Sequence, residues 1–304
     1  MAYYSPMDPQ LEQPQSAKKS KRKVDLLVLS DIHLGTYGCR AKELIKYLKS
    51  IEPQEVILNG DIIDIWQFSK RYWPKSHMKV ISYFIKWMSQ GTKITYITGN
   101  HDEMLRKFEG FSMGSFELQN KMTMDLKGQK AWIFHGDVFD VTMQHSRWLT
   151  KLGAIGYDIL ILVNQLVNKI NEFFGRGRIS LSKKVKSSVK SAVKYINKFE
   201  ETATSIAAEN GFDYVICGHI HEPVIKTYST KDGPVVYLNS GDWIENLTSL
   251  EYHNGEWNIF QYRDEDFLDM PNAEELLPEG IVTLSSKSPK ELFGKMLMEM
   301  EIKA

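Results

Sequence analysis

Cysteine is almost missing from this 304-residue chain: Cys39 and Cys217 stand far apart and in no ligand spacing. That speaks against a disulfide framework and a thiolate metal site, suits a reducing cytoplasm, and leaves both as small buried hydrophobes. An excess of either charge is missing too. The 38 basic and 38 acidic side chains cancel, so no global field draws the protein to nucleic acid. Long apolar runs are also lacking: the longest, Ile159–Val163, falls far short of the roughly 20 residues that span a bilayer. Residues 1–23 are polar, end in the basic cluster KKSKRK and lack the apolar stretch of a secretory signal. The expectation is a disordered leader on a cytoplasmic protein.

What is present is ordinary in bulk, 42% hydrophobic and 25% charged, and long enough for one large domain or two small ones. Runs rich in β-branched residues read as buried strands at 24–30, 55–59, 93–98, 131–135, 213–217 and 235–239. Helix-like stretches at 40–51 and 77–90 lie between the early ones, which argues for an α/β fold with much of its sheet buried on both faces. Residues 247–252 and 257–262 read as an antiparallel pair across the turn HNGE. Residues 142–210 break the rhythm: helix from about 142 to 174, a break at GRGR, then helix to about 209. The expected organisation is a leader over 1–23, a core over 24–141 and 211–264, a helical insertion or lid over 142–210, and a tail over 265–304.

Polar clusters follow the strands. Asp31 and His33 follow the first, Asp61 and Asp64 the second, and Gly99-Asn100-His101-Asp102 the third. His135-Gly136-Asp137 ends the fourth, and His219 and His221 follow the fifth. In α/β sheets the carboxyl ends of strands converge on one crevice, so these clusters point to one site. Asp31, His33, Asp61, His135, His219 and His221, with Asn100 as an amide-oxygen donor, make a mixed nitrogen and oxygen ligand set without thiolate. Such a set suits manganese, iron or zinc. Seven ligands are too many for one tetrahedral ion but fit two ions sharing a carboxylate, a clamp for attack at phosphorus. Each cluster alone has a plainer reading: Asn100 or Asp102 as a helix cap, a single His as hydrogen-bonded filler.

The blocks DIH, GDIID, GNHD, HGD and GHIH, in this order over about residues 25–245, resemble the signature of calcineurin-like metallophosphoesterases. The resemblance implies a four-layer αββα sandwich of two mixed sheets and a phosphoester hydrolase using two divalent cations, manganese first, with iron or zinc as alternatives. It implies that Asp31, His33 and His221 hold one ion, Asn100, His135 and His219 the other, and that Asp61 bridges them. His101 would contact the phosphoryl group and protonate the leaving oxygen, Asp102 would hold the His101 imidazole in the productive tautomer, and Asp64 would stand behind the ligands.

The insertion bears on substrate. From Arg176 to Lys198 there are eight basic residues and no acidic one, with Lys186, Lys190, Lys194 and Lys198 in one helical stripe. The preceding stretch is rich in large apolar groups such as Leu149, Ile155, Leu160 and Phe173. An apolar helix followed by a basic one suits a phosphorylated lipid or an anionic membrane surface; a plain lid or a dimer contact stays open beside it. The run NGDIIDIW and the insertion's place resemble the branch that contains UDP-2,3-diacylglucosamine pyrophosphatase, an enzyme of lipid A precursor synthesis. That branch implies a phosphoanhydride in a lipid-linked nucleotide as substrate, at the inner face of the bacterial inner membrane. Its best-known members carry Arg where this chain has His101. Arg147 and His145, with Lys186 and Lys190, are candidates for holding the substrate, or else lid packing. A nucleotide or nucleic-acid phosphodiesterase and a non-catalytic scaffold of the same fold are the competing functions.

Overall fold

Strand β1 (Arg22–Leu29) is buried along both faces: Leu26 and Val28 look one way, Leu27 and Leu29 the other, and none is more than 2% exposed. A strand apolar on both sides must sit inside a sheet that is covered on both sides. The computed structural model describes residues 21–65, 73–139 and 182–268, apart from the side chains of 182–192. In it β1 pairs in parallel with β2 (Ile51–Asn59), then β3 (Lys93–Ile97) and β5 (Phe116–Gln119) follow in parallel. The antiparallel strands β11 (Thr248–His253), β12 (Glu256–Gln261) and β4 (Ser112–Met113) complete a seven-stranded sheet in the order β12-β11-β1-β2-β3-β5-β4. A second mixed sheet runs β6-β7-β8-β10-β9, from β6 (Lys121–Leu126), β7 (Gln129–Phe134), β8 (Tyr214–Cys217), β10 (Gly233–Asn239) and β9 (Val224–Thr230).

The cores give the layer order. Leu26, Val28, Ile57 and Ile97 of the first sheet pack with Ile133, Ile216 and Leu238 of the second, so the sheets lie face to face. Leu27 and Leu29 pack on the other side with Leu44 and Leu48 of α1 (Ala41–Ser50) and Val80 and Trp87 of α2 (Lys75–Ser89). The outer face of the second sheet, Val215, Cys217, Val235 and Tyr237, is covered by Phe199, Ala203 and Ala207 of α3 (Ser182–Glu209). This is the α/β sandwich of two mixed sheets with helices outside. Its strands end together: the carboxyl ends of β1, β2, β3, β7, β8 and β10 carry the polar clusters.

Three differences from the sequence expectation have physical causes. The edge strands β4, β6 and β9, and β5 beside β4, went unread because their residues are mostly half-exposed or exposed and largely polar, unlike the apolar runs of the central strands. Cys217 is buried, but Cys39 is only half-buried. The last turns of α3 are a layer of the fold rather than part of an insertion, since Phe199, Ala203 and Ala207 recur every four residues on one fully buried face. Phe199→Ala is therefore expected to destabilise the protein by about 3–5 kcal/mol in urea unfolding. A loss below about 1 kcal/mol would mark α3 as detachable from the core. No helix among the described residues is long and apolar enough to cross a membrane.

Candidate metal centre

At the carboxyl edge the backbone is bent hard to aim side chains inward. Asp31, His33, Asp61, His219 and His221 all have positive φ, between 52° and 65°. Outside glycine this region is sparsely populated and each such residue stores on the order of 1–3 kcal/mol. Eight non-glycine residues have positive φ among the described residues, and five of them are sequence-derived candidate ligands. Strain is thus concentrated where the candidate ligands are. Two glycines make the approach possible. A Cβ on Gly60, whose φ is +80°, would lie 2.3 Å from the His135 ring, and one on Gly99 would lie 2.2 Å from Asp61 Oδ1. Only hydrogen fits at either place.

The loops gather the candidate ligands into two adjoining groups, Asp31 with His33 and His221, and Asp61 with His135 and His219, whose donor atoms lie within 4.8 Å of one another in each group. Asp61 Oδ2 is 3.2 Å from His135 Nε2 and 3.9 Å from His33 Nε2, so it faces both groups. Asp31 Oδ1 is 3.0 Å from His221 Nε2 and 4.0 Å from His33 Nε2. Asp31 Oδ1, His33 Nε2, Asn100 Oδ1 and His135 Nε2 are all buried, and none has a hydrogen-bond partner. Buried polar atoms left without partners are destabilising, and a cation bound among the candidate ligands would relieve that cost. The His135 Nδ1–H donates to the Asn59 carbonyl at 2.9 Å, which leaves Nε2 directed at the Asp61 carboxylate. Two other contacts fix the carboxylates: Asp31 Oδ2 accepts from the His219 amide and Asp61 Oδ1 from the His101 amide. Residues, burial and donor chemistry all fit divalent cations with nitrogen and oxygen ligands.

Electrostatics agree. Burial disfavours charge on Asp31, but His221 and His135 override it and hold the carboxyl at about 2. Asp61 is likewise held well below the usual carboxylate range, against its burial, by His135 and His33. In the opposite sense, burial lowers the proton affinity of His221, yet Asp31 pushes it up to about 9. His135, against its own burial, is raised well above the ordinary imidazole by Asp61. The site demands positive charge, which protons supply in part, and a metal cation displaces such protons when it binds.

Behind these groups the structure corrects one expectation. Asp102 does not hold His101. Its carboxylate accepts hydrogen bonds from the Gly99 amide (2.6 Å), the Ile62 amide (3.0 Å) and the Tyr96 hydroxyl (2.5 Å). Asp102 thus pins the loop after β3 to the loop after β2, and it makes no side-chain cap on the short 3-10 turn that follows it. Burial and the charge on Asp61 push its carboxyl up to about 6. The partner of His101 is Asp64, whose Oδ2 accepts from the His101 Nδ1–H at 2.9 Å and lies 3.8 Å from His33 Nδ1. The reason is geometric: in the turn, the Asp102 side chain folds back under its own loop, while Asp64 rises from the neighbouring one. Burial lowers the proton affinity of His101, but Asp64 and Asp61 raise it above the ordinary value. The His101 ring stands edge-on to His33 at 4.6 Å and its side chain remains 29% exposed, within reach of a substrate.

Sequence reasoning missed Asp242. It follows β10 in Ser240-Gly241-Asp242, a sixth cluster at a sixth strand end, and that pattern could have found it. Fully buried, it accepts from the amides of Ile244 and Glu245, and its Oδ2 lies 3.7 Å from His221 Nδ1. His145 and Arg147 lie outside the described residues, as do the side chains of Lys186 and Lys190.

The calcineurin-like phosphoesterase family matches residues 24–223, which span every candidate ligand. The chain belongs to this family. As a calcineurin-like phosphoesterase it is a phosphoester hydrolase, and the clustered carboxylates and imidazoles are where that family's divalent ions would be held. The chain is similar to a protein of Aliivibrio fischeri named UDP-2,3-diacylglucosamine hydrolase, 25% identical over 249 residues that cover 77% of this chain and 97% of the relative. A protein of the same name from Aeromonas salmonicida is 24% identical over 244 residues, covering 77% and 92%. Among solved structures, an archaeal phosphodiesterase covers 78% of this chain and 98% of its own at 14% identity and a TM-score of 0.36, an overlap too loose to bear on the site.

Proposed function

We propose that this phosphoesterase uses two divalent cations, manganese first, to hydrolyse the phosphoanhydride of UDP-2,3-diacylglucosamine or a similar lipid-linked nucleotide. The observation that carries the two-cation reading is the pair of ligand groups meeting at Asp61, with four buried donor atoms left without partners. The substrate reading rests on the names of the relatives, which the chain matches over nearly their whole length. Two cations bound there would supply the charge that activates water and neutralises the phosphoryl oxygens. The chain's own residues would divide the rest. Asp31, His33 and His221 would hold one cation, Asn100, His135 and His219 the other, and Asp61 both. His101, steadied by Asp64, would donate a proton to the departing phosphate oxygen. The exposed Lys194 and Lys198 continue the basic stripe of α3, which would face an anionic inner-membrane surface.

The test is the purified metal-free protein, reloaded with Mn²⁺ and given UDP-2,3-diacylglucosamine. Release of UMP at a kcat/KM well above that for bis-p-nitrophenyl phosphate is the expected result. Turnover of simple diesters or nucleotides alone would instead favour a nucleotide phosphodiesterase. Co-sedimentation with anionic but not neutral vesicles tests the membrane face in the same preparation.

A further inference from the structure

Asn100 and His135 come from different sheets. One follows β3 and the other follows β7, and no ladder hydrogen bond joins those strands. Their loops are joined outside the ligand shell by Arg106, from the 3-10 turn after Asp102. Arg106 Nη2 donates to Asp137 Oδ2 at 2.5 Å and to the Gly99 carbonyl at 3.3 Å. Gly99 immediately precedes Asn100, and Asp137 lies two residues after His135. One guanidinium therefore grips the two loops that supply Asn100 and His135. The Asp137 side chain is only 12% exposed, and Arg106 Nε is itself buried without a partner. The contact is thus part-buried and fixes where the two loops sit relative to each other.

We propose that Arg106, with Asp137, is a positioning residue for the second cation: it sets the separation of Asn100 and His135. The inference rests on the two-cation reading above. It predicts a selective effect, because Asp31, His33 and His221 are untouched by the Arg106 contact. In a Mn²⁺ titration of the metal-free protein followed by electron paramagnetic resonance, the wild type is expected to take up two equivalents and show the exchange-coupled spectrum of ions about 3.5–4 Å apart. Arg106→Ala and Asp137→Asn should bind the first Mn²⁺ as the wild type does, while the Kd for the second rises about 10–100-fold. At two equivalents the spectrum should then be that of isolated ions. Arg106→Lys, which keeps one donor but not the planar fork, should recover part of the coupling. Arg22→Ala serves as control, since it breaks the Arg22–Glu251 pair at the opposite end of β1 and touches neither loop.

Wild-type affinity for both ions in Arg106→Ala would overturn the proposal. So would an equal weakening of both ions that tracks the fall in Tm and is shared by Arg22→Ala, for that marks a merely structural contact. A wild type that binds fewer than two Mn²⁺ would sink the two-cation reading first, before any variant is compared, and this proposal with it.

Discussion

Asp61→Asn is expected to lose both cations and to lower kcat/KM for phosphoester hydrolysis by about 10³-fold or more, the equivalent of several kcal/mol of transition-state stabilisation. Asp61 has no substitute: its Oδ2 faces His135 at 3.2 Å and His33 at 3.9 Å, one from each group. The asparagine keeps the acceptor that the His101 amide uses through Oδ1, so the loop geometry has no reason to collapse. What goes is the negative charge that holds His135 protonated against its burial. Without it the imidazole is free to become neutral, so no buried charge is stranded and the metal-free protein still folds. Thermal melting shows the difference. Excess Mn²⁺ should raise the wild-type Tm, because a ligand at 100 times its Kd stabilises by about 2.7 kcal/mol per site. The variant's Tm should not move. Two equivalents of tightly bound Mn²⁺ in Asp61→Asn would refute the bridging role.

Much of this was readable from residues alone, and what was not has a common cause. The central strands were legible because a strand buried on both faces has to be apolar throughout, as in Leu26-Leu27-Val28-Leu29. Clusters directly after them were legible because in an α/β sheet those positions converge. The edge strand β9, reading VIKTYST and half-exposed, carries no such signature. Side-chain pairing was less legible still. Asp102 is the neighbour of His101 in sequence, yet Asp64, 37 residues away, makes the contact. Adjacency along the chain says nothing of direction once the backbone turns sharply. Arg106 and Asp137, 31 residues apart, fall under the same limit. Asp242 differs: its signal was present in Ser240-Gly241-Asp242, the same strand-end pattern that revealed the rest.

His101→Ala should lower kcat by about 10²–10⁴-fold, the usual worth of a positioned general acid, while KM changes little and both Mn²⁺ remain bound. Metal binding is expected to be spared because the His101 side chain lies outside both groups that meet at Asp61, clustering only with His33 and Asp64, and the backbone amide that touches Asp61 survives the substitution. Asp64→Asn should act through His101: a loss of about 10–100-fold, the usual effect of removing a partner that orients a functional histidine. In the double variant the two effects should not add, since an orienting residue has nothing left to orient. Asp102→Asn should behave differently. It weakens three hydrogen bonds that tie two ligand-bearing loops together, so metal content and stability should fall along with activity. Metal loss in His101→Ala equal to that in Asp61→Asn would show His101 to be a ligand and not an acid. Additive losses in the Asp64 and His101 double variant would show that Asp64 serves His33, 3.8 Å away, as much as it serves His101.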